Sequence, residues 1–146
     1  MSLAMSRAES EAFLAETHVG ILSVAAETRG PLAVPVWYRY APGGEIRIAT
    51  GEDSRKARLL RKFGRATLCA QTETAPYIYV TVEGPVTFAK VDFAQDTREM
   101  AIRYLGKEMG EAYLAASYPN GVTSEILVLL RPERWASADF RKFTGA

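Results

Sequence analysis

Apolar residues recur along the chain in two rhythms. In SRAESEAFLAE, Ser6 to Glu16, Ala8, Ala12 and Phe13 share one helical face, and Ser6 has Glu9 three residues later, the spacing of a capping box. This predicts a short first helix. The rhythm then turns to β: HVGILSVAAE, PLAVPVWYRY and EIRIAT are rich in strand formers and are divided by ETRG and PGG, which predicts a three-strand meander. GILSV and LAVPVW are nearly all apolar, as in strands covered on both faces. Pro35 inside the second strand removes a ladder donor and marks an edge, a bulge or a place where a ligand meets the backbone.

Beyond a basic helix, RATLCAQ (Arg65 to Gln71) reads as a fourth strand and ETAP as the break after it. YIYVTVEGPVTFAKV (Tyr77 to Val91) alternates well enough to be one long strand, with a kink or bulge at Gly84-Pro85 of the kind that closes sheets into barrels. Asp92 is placed to cap a helix reaching about Leu105, with Phe93, Thr97, Met100, Ala101 and Tyr104 at helical spacing and Gly106 ending it. A shorter helix follows from about Glu108 to Ser117, before YPNG, and TSEILVLLRPERW (Thr123 to Trp135) supplies the last strand. Some six strands with helices between only some of them predict an α+β, mainly antiparallel barrel rather than alternating βαβ units.

With 146 residues the chain is expected to form a single domain over 1–146. Residues 1–5, which bring a second methionine so soon, are expected to be disordered or left over from an expression vector. Eighteen Lys and Arg against seventeen Asp and Glu leave +1, so an anion site must arise from local clustering, and a nucleic-acid partner is not expected. No run approaches the ~18 apolar residues of a membrane span and no signal-peptide core opens the chain, so the expectation is a cytoplasmic protein with no membrane partner. Cys69 alone excludes an internal disulfide framework, and without a His/Cys cluster no metal site is expected.

The strongest chemical signal is GEDSRKARLLRK, Gly51 to Lys62. From Arg55 to Arg65 stand six cations, Arg55, Lys56, Arg58, Arg61, Lys62 and Arg65, and no acid. Two of them fall in the first turn of the predicted helix, where the macrodipole favours acids. Leu59, Leu60 and Phe63 form the expected buried stripe, and Arg55, Arg58 and Lys62 share another face. One reading is a solvated basic face. The other is a phosphate at the helix start, where free N–H groups, the Ser54 hydroxyl, Arg55 and Lys56 converge behind the strand end ATG, Ala49 to Gly51. Trp37 and Tyr38 after Pro35, with Gln71, Tyr77 and Tyr79 on other strands, suit either core packing or the walls of a site for a flat conjugated ring. The lone His18 lacks a nucleophile motif for a triad, and no dinucleotide or P-loop glycine pattern follows a strand. No catalytic acid or base is identified.

Taken in order, VGILSV, AVPVWY, IATGEDSRKARLL, RATLCAQ and YVTVEG resemble the pyridoxamine 5′-phosphate oxidase-like split-barrel family. The resemblance covers about residues 12 to 91, and the tail RPERWASADFRKF is similar to a more restricted pattern within it. It implies a homodimeric six-stranded split β-barrel with peripheral helices and a flavin or deazaflavin in a groove at the subunit interface. The phosphate grip maps onto Thr50, Gly51, Ser54, Arg55 and Lys56, with Arg58 a further basic position; Pro35, Val36 and Trp37 would line the ring, Gln71 would reach its polar edge, and Tyr79 would face the same groove. The chain lacks the C-terminal substrate region of the vitamin-converting oxidases. Its ending, with Trp135, Asp139, Arg141 and Lys142, is similar to the branch that uses coenzyme F420, whose acidic tail would also employ Arg58, Arg61 or Lys62. The resemblance therefore implies F420-dependent hydride transfer to a small conjugated molecule. FMN is the alternative cofactor, and a non-catalytic flavin- or haem-binding protein, with His18 as axial ligand, is the alternative role.

Overall fold

The computed structural model describes residues 2–143. Helix α1 (Arg7–Ala15) starts in the expected capping box: Glu9 N–H donates to Ser6 Oγ at 3.1 Å and Ser6 N–H to Glu9 Oε1 at 2.9 Å. Strands β1 (Gly20–Val24), β2 (Leu32–Val36) and β3 (Ile46–Gly51) follow, then α2 (Arg55–Phe63), β4 (Arg65–Gln71) and the long β5 (Ile78–Lys90). A π-helical stretch, Phe93–Glu99, leads into α3 (Met100–Leu105), and α4 (Lys107–Ser117), β6 (Glu125–Leu130), β7 (Arg134–Asp139) and a 3-10 turn (Phe140–Lys142) follow.

All pairings are antiparallel along the path β2-β1-β4-β5-β6-β3, with β7 added to β5 off that path. This is the α+β, mainly antiparallel barrel that the strand pattern predicts, in the split form that the resemblance implies. Pro35 lies on β2, at the edge of the sheet, where a missing N–H is tolerated. β5 serves both halves of the barrel: Tyr79–Pro85 pair with β4 and Val86–Lys90 with β6. The corner between them is Gly84-Pro85. A Cβ on Gly84 would stand 1.8 Å from the Arg131 carbonyl oxygen, so only glycine lets the two backbones pass this closely.

That corner corrects the single last strand expected over Thr123–Trp135. β6 stops at Leu130, Arg131 N–H donates to Pro85 O and Glu133 N–H to Glu83 O, and β7 resumes on the other half of β5. A strand that follows β5 has to bend where β5 bends, and Pro132 sits at the bend. The tail through Asp139 is thus a strand. Leu3 to Met5 lie against it, with Asp139 N–H on Leu3 O at 2.8 Å and Met5 N–H on Ser137 Oγ at 2.9 Å. The disorder expected for residues 1–5 therefore does not hold for these three; Met1 is outside the described residues.

Inside the curl, Leu14, Leu22, Ile46, Leu68, Val80 and Leu130 form one core. Tyr38 belongs to it: its ring is fully buried and its hydroxyl donates to Leu14 O at 2.7 Å, so it is not a wall of an open groove. The inner stripe of α2 is Ala57, Leu59 and Leu60, while Phe63, expected inside, is 38% exposed at the last turn before Gly64 closes the helix with φ of 68°. Among the described residues no helix is long and apolar enough to cross a membrane.

Candidate functional site

Where β3 runs into α2, Gly51 O accepts from both Ser54 N–H, at 3.1 Å, and Ser54 Oγ, at 2.7 Å. The same Ser54 oxygen accepts from Ala57 N–H at 3.1 Å. Ser54 thus closes the turn and caps α2. Lys56 folds back over the strand end, and its Nζ donates to Oγ1 of the buried Thr50 at 2.8 Å. Burial lowers the Lys56 pKa, and the Glu125 carboxylate nearby opposes that effect.

The remaining cations divide. Arg58 and Lys62 reach Glu27 Oε1 at 3.6 and 3.0 Å, Arg65 reaches Glu133 at 3.2 Å, and Arg61 reaches Glu52 at 3.7 Å while also donating to Glu52 O at 2.9 Å. Arg55 has no carboxylate partner among the described residues. Most of the repulsion that the sequence implies is thus answered by acids drawn from distant segments. Arg55 and Lys56 are the two of the six without a carboxylate partner among the described residues.

Lys56 also lines the larger cavity, of about 450 Å³, with Pro35, Val36 and Trp37 of the β2 end on one side and Asp96, Thr97, Met100, Tyr113, Tyr118 and Glu125 on others. Trp37 stacks on Tyr104 with ring centres 5.1 Å apart and planes 3° from parallel, and the Tyr113 ring meets Trp37 edge-on at 5.7 Å. The Tyr104 hydroxyl accepts from Tyr38 N–H at 3.0 Å and lies 2.6 Å from His18 O, which pins the stack to two segments of backbone. Asp96 is buried, and the Arg47 fork clasps it at 2.8 and 3.0 Å while Asp92 N–H donates to it at 2.9 Å. That pairing holds the Arg47 pKa above its ordinary value. Beside it, the buried Thr97 hydroxyl has no hydrogen-bond partner among the described residues. Glu125 Oε1 accepts from Tyr118 at 2.8 Å and Thr123 at 3.1 Å, and burial together with that carboxylate pushes the Tyr118 phenol up.

A cation stands at one side of an aromatic-walled cavity, and the curled antiparallel half-barrel that carries it is the fold that the motif order implies. The sequence profile described as pyridoxamine 5'-phosphate oxidase matches residues 6–138. The chain belongs to that family. A comparison with curated protein sequences gives no match. Among solved structures, a conserved hypothetical protein of Mycobacterium tuberculosis superposes with a TM-score of 0.77 at 22% identity, covering 97% of this chain and 89% of that one. An F420 reductase gives a TM-score of 0.70 at 17% identity, with 86% and 94% covered. A heme binding protein from Mycobacterium smegmatis gives 0.61 at 21%, with 97% of this chain and 61% of that one covered. Likeness at this level carries the fold and not the ligand.

Within this family member, the structure gathers Pro35, Val36, Trp37 and Lys56 at one cavity, with Thr50 beneath Lys56. Gly51, Ser54 and Arg55 form the adjoining turn, and Arg58 points away to Glu27. Gln71 and Tyr79 are paired on the exposed ends of β4 and β5, away from the cavity walls of the single chain. Trp135 packs edge-on against Tyr40 under the Arg7 guanidinium. Arg141 forks onto Asp139 and borders a second cavity of about 280 Å³, and Lys142 Nζ holds Ala4 O and Glu9. Sequence reasoning missed Thr97, Tyr113, Tyr118 and Glu125. The aromatic pair before and within YPNG was the one visible signal for them.

Proposed function

We propose that the chain is a cytoplasmic, homodimeric oxidoreductase that holds coenzyme F420 in the larger cavity and passes a hydride between it and a small conjugated organic molecule. Lys56, half-buried on an aromatic-walled cavity without a contacting carboxylate, carries this reading. The volume of about 450 Å³ lies in the range of small-molecule sites, and the Trp37 and Tyr113 rings offer surfaces for a planar ligand. Lys56 and Arg55 suit its phosphate. The cofactor supplies the redox chemistry when bound, and the chain binds it, orients it and keeps water from its face. Family membership and the likeness to an F420 reductase support the choice. Titration of the purified protein with F420, followed by fluorescence, is expected to give micromolar binding. Failure to bind either F420 or FMN refutes the reading.

One observation favours FMN as a second reading. Arg58, Arg61 and Lys62 are already engaged by Glu27 and Glu52, which leaves cations for one phosphate rather than for a long acidic tail. Tighter binding of FMN than of F420, with protein that purifies yellow, selects it. A haem-binding role draws no support from His18, whose ring stacks on Phe13 at 4.2 Å and whose Nε2 is buried 3.3 Å from Glu16. Cofactor binding without hydride transfer to any acceptor would instead mark a storage protein.

A further inference from the structure

Resting on the flavin or deazaflavin reading above, we infer that Glu125 accepts hydrogen bonds from the hydroxyls of the polyol chain that joins the bound ring to its phosphate. The pairing of β3 with β6 sets Glu125 opposite Gly51, beside the turn that carries Thr50 and Lys56. It lines the same cavity as Lys56 and acts on its charge, yet the two form no ion pair. A ligand therefore lies between an acid and a base.

Both hydrogen bonds to the Glu125 side chain fall on Oε1, from the Tyr118 and Thr123 hydroxyls. Oε2 has no hydrogen-bond partner among the described residues. A carboxylate is acceptor-only, so its free oxygen serves a ligand that brings donors. Phosphate oxygens are acceptors and would be repelled. Ring edges bring few donors, whereas a polyol brings several, at the carbons next to the phosphate that Lys56 receives. Tyr118 and Thr123 are positioning residues: two hydroxyls on one oxygen fix the direction in which the other points.

The test compares riboflavin, which has the polyol and no phosphate, with lumiflavin, which has the ring alone, on the full chain by quenching of flavin fluorescence. Glu125→Ala is expected to weaken riboflavin about tenfold or more, the value of a charge-assisted hydrogen bond, and to leave lumiflavin unchanged. Glu125→Gln, which keeps an acceptor for Tyr118 and Thr123, is expected to weaken riboflavin selectively by a smaller factor and covers the case in which the alanine variant does not fold. Equal changes for riboflavin and lumiflavin, or none for either, overturn the assignment while the cofactor reading stands. If the unaltered protein binds FMN, riboflavin and F420 not at all, the cofactor reading fails and this assignment with it.

Discussion

Lys56 and Arg61 lie on the same short helix, and the structure gives them different work. Lys56 turns into the cavity and rests on a neutral hydroxyl, so its charge is open to a phosphate. Arg61 is held by Glu52 at the surface and lies over the Phe88 ring at 5.2 Å. Lys56→Ala is expected to weaken F420 or FMN binding by roughly 1–3 kcal/mol, the range for a hydrogen bond to a charged group. Arg61→Ala is expected to cost less than about 0.5 kcal/mol, as an exposed ion pair would. Fluorescence titration of both variants checks this, and equal losses would extend the bound anion along the helix. The cluster of cations was legible because it breaks a local rule at a helix start. Its division into paired and free members was not, because Glu27 and Glu133 come from the β1–β2 and β6–β7 connections. Ser54 shows the same limit: its type suits both a cap and a phosphate ligand, and its bonds to Gly51 and Ala57 are set by a turn geometry that the sequence pattern does not carry.

Elements were easier to read where one face or one turn residue dictates them. The capping box of α1, the edge position of Pro35 and the kink of β5 all follow from local chemistry. β7 did not, since its start is set by the bend of β5 rather than by its own residues. The π-helical stretch before α3 was also hidden: it coincides with the place where Arg47 of β3 clasps Asp96, a tertiary tie that periodicity does not carry. The β5 corner permits a sharp test. Gly84→Ala drives a methyl into the Arg131 carbonyl and is expected to cost about 3 kcal/mol in urea unfolding, whereas Gly30→Ala, with nothing within 4 Å, is expected to be near neutral. Comparable losses for the two would mean that the corner relaxes at little cost and that β6 and β7 are not held to its geometry.

On the whole molecule, the outer face of the β2-β1-β4 sheet carries exposed apolar side chains among polar ones such as Ser23 and Thr67. Ile21, at its centre, pairs with Pro35 on one side and Cys69 on the other and is 39% exposed, while Val19 is 52% exposed and Tyr79 38%. Exposed apolar patches of this kind mark association surfaces, and for this chain the proposed occupant is a second copy. The face runs directly into the site, because Val19 and Pro35 both belong to it and line the cavity. A partner seated there would close one side of the cavity, and Gln71 and Tyr79, away from the cavity of a single chain, would lie in the interface. Association and cofactor binding are then coupled, each strengthening the other by the same free energy. Ile21→Glu places a charge in the middle of the face without touching the core. By sedimentation it is expected to turn a dimer into a monomer with unchanged circular dichroism, and its affinity for F420 and FMN is expected to fall with dissociation. A variant that stays dimeric places the interface elsewhere. A monomer that binds cofactor as well as the unaltered protein shows instead that one chain's cavity is sufficient and breaks the link between the two.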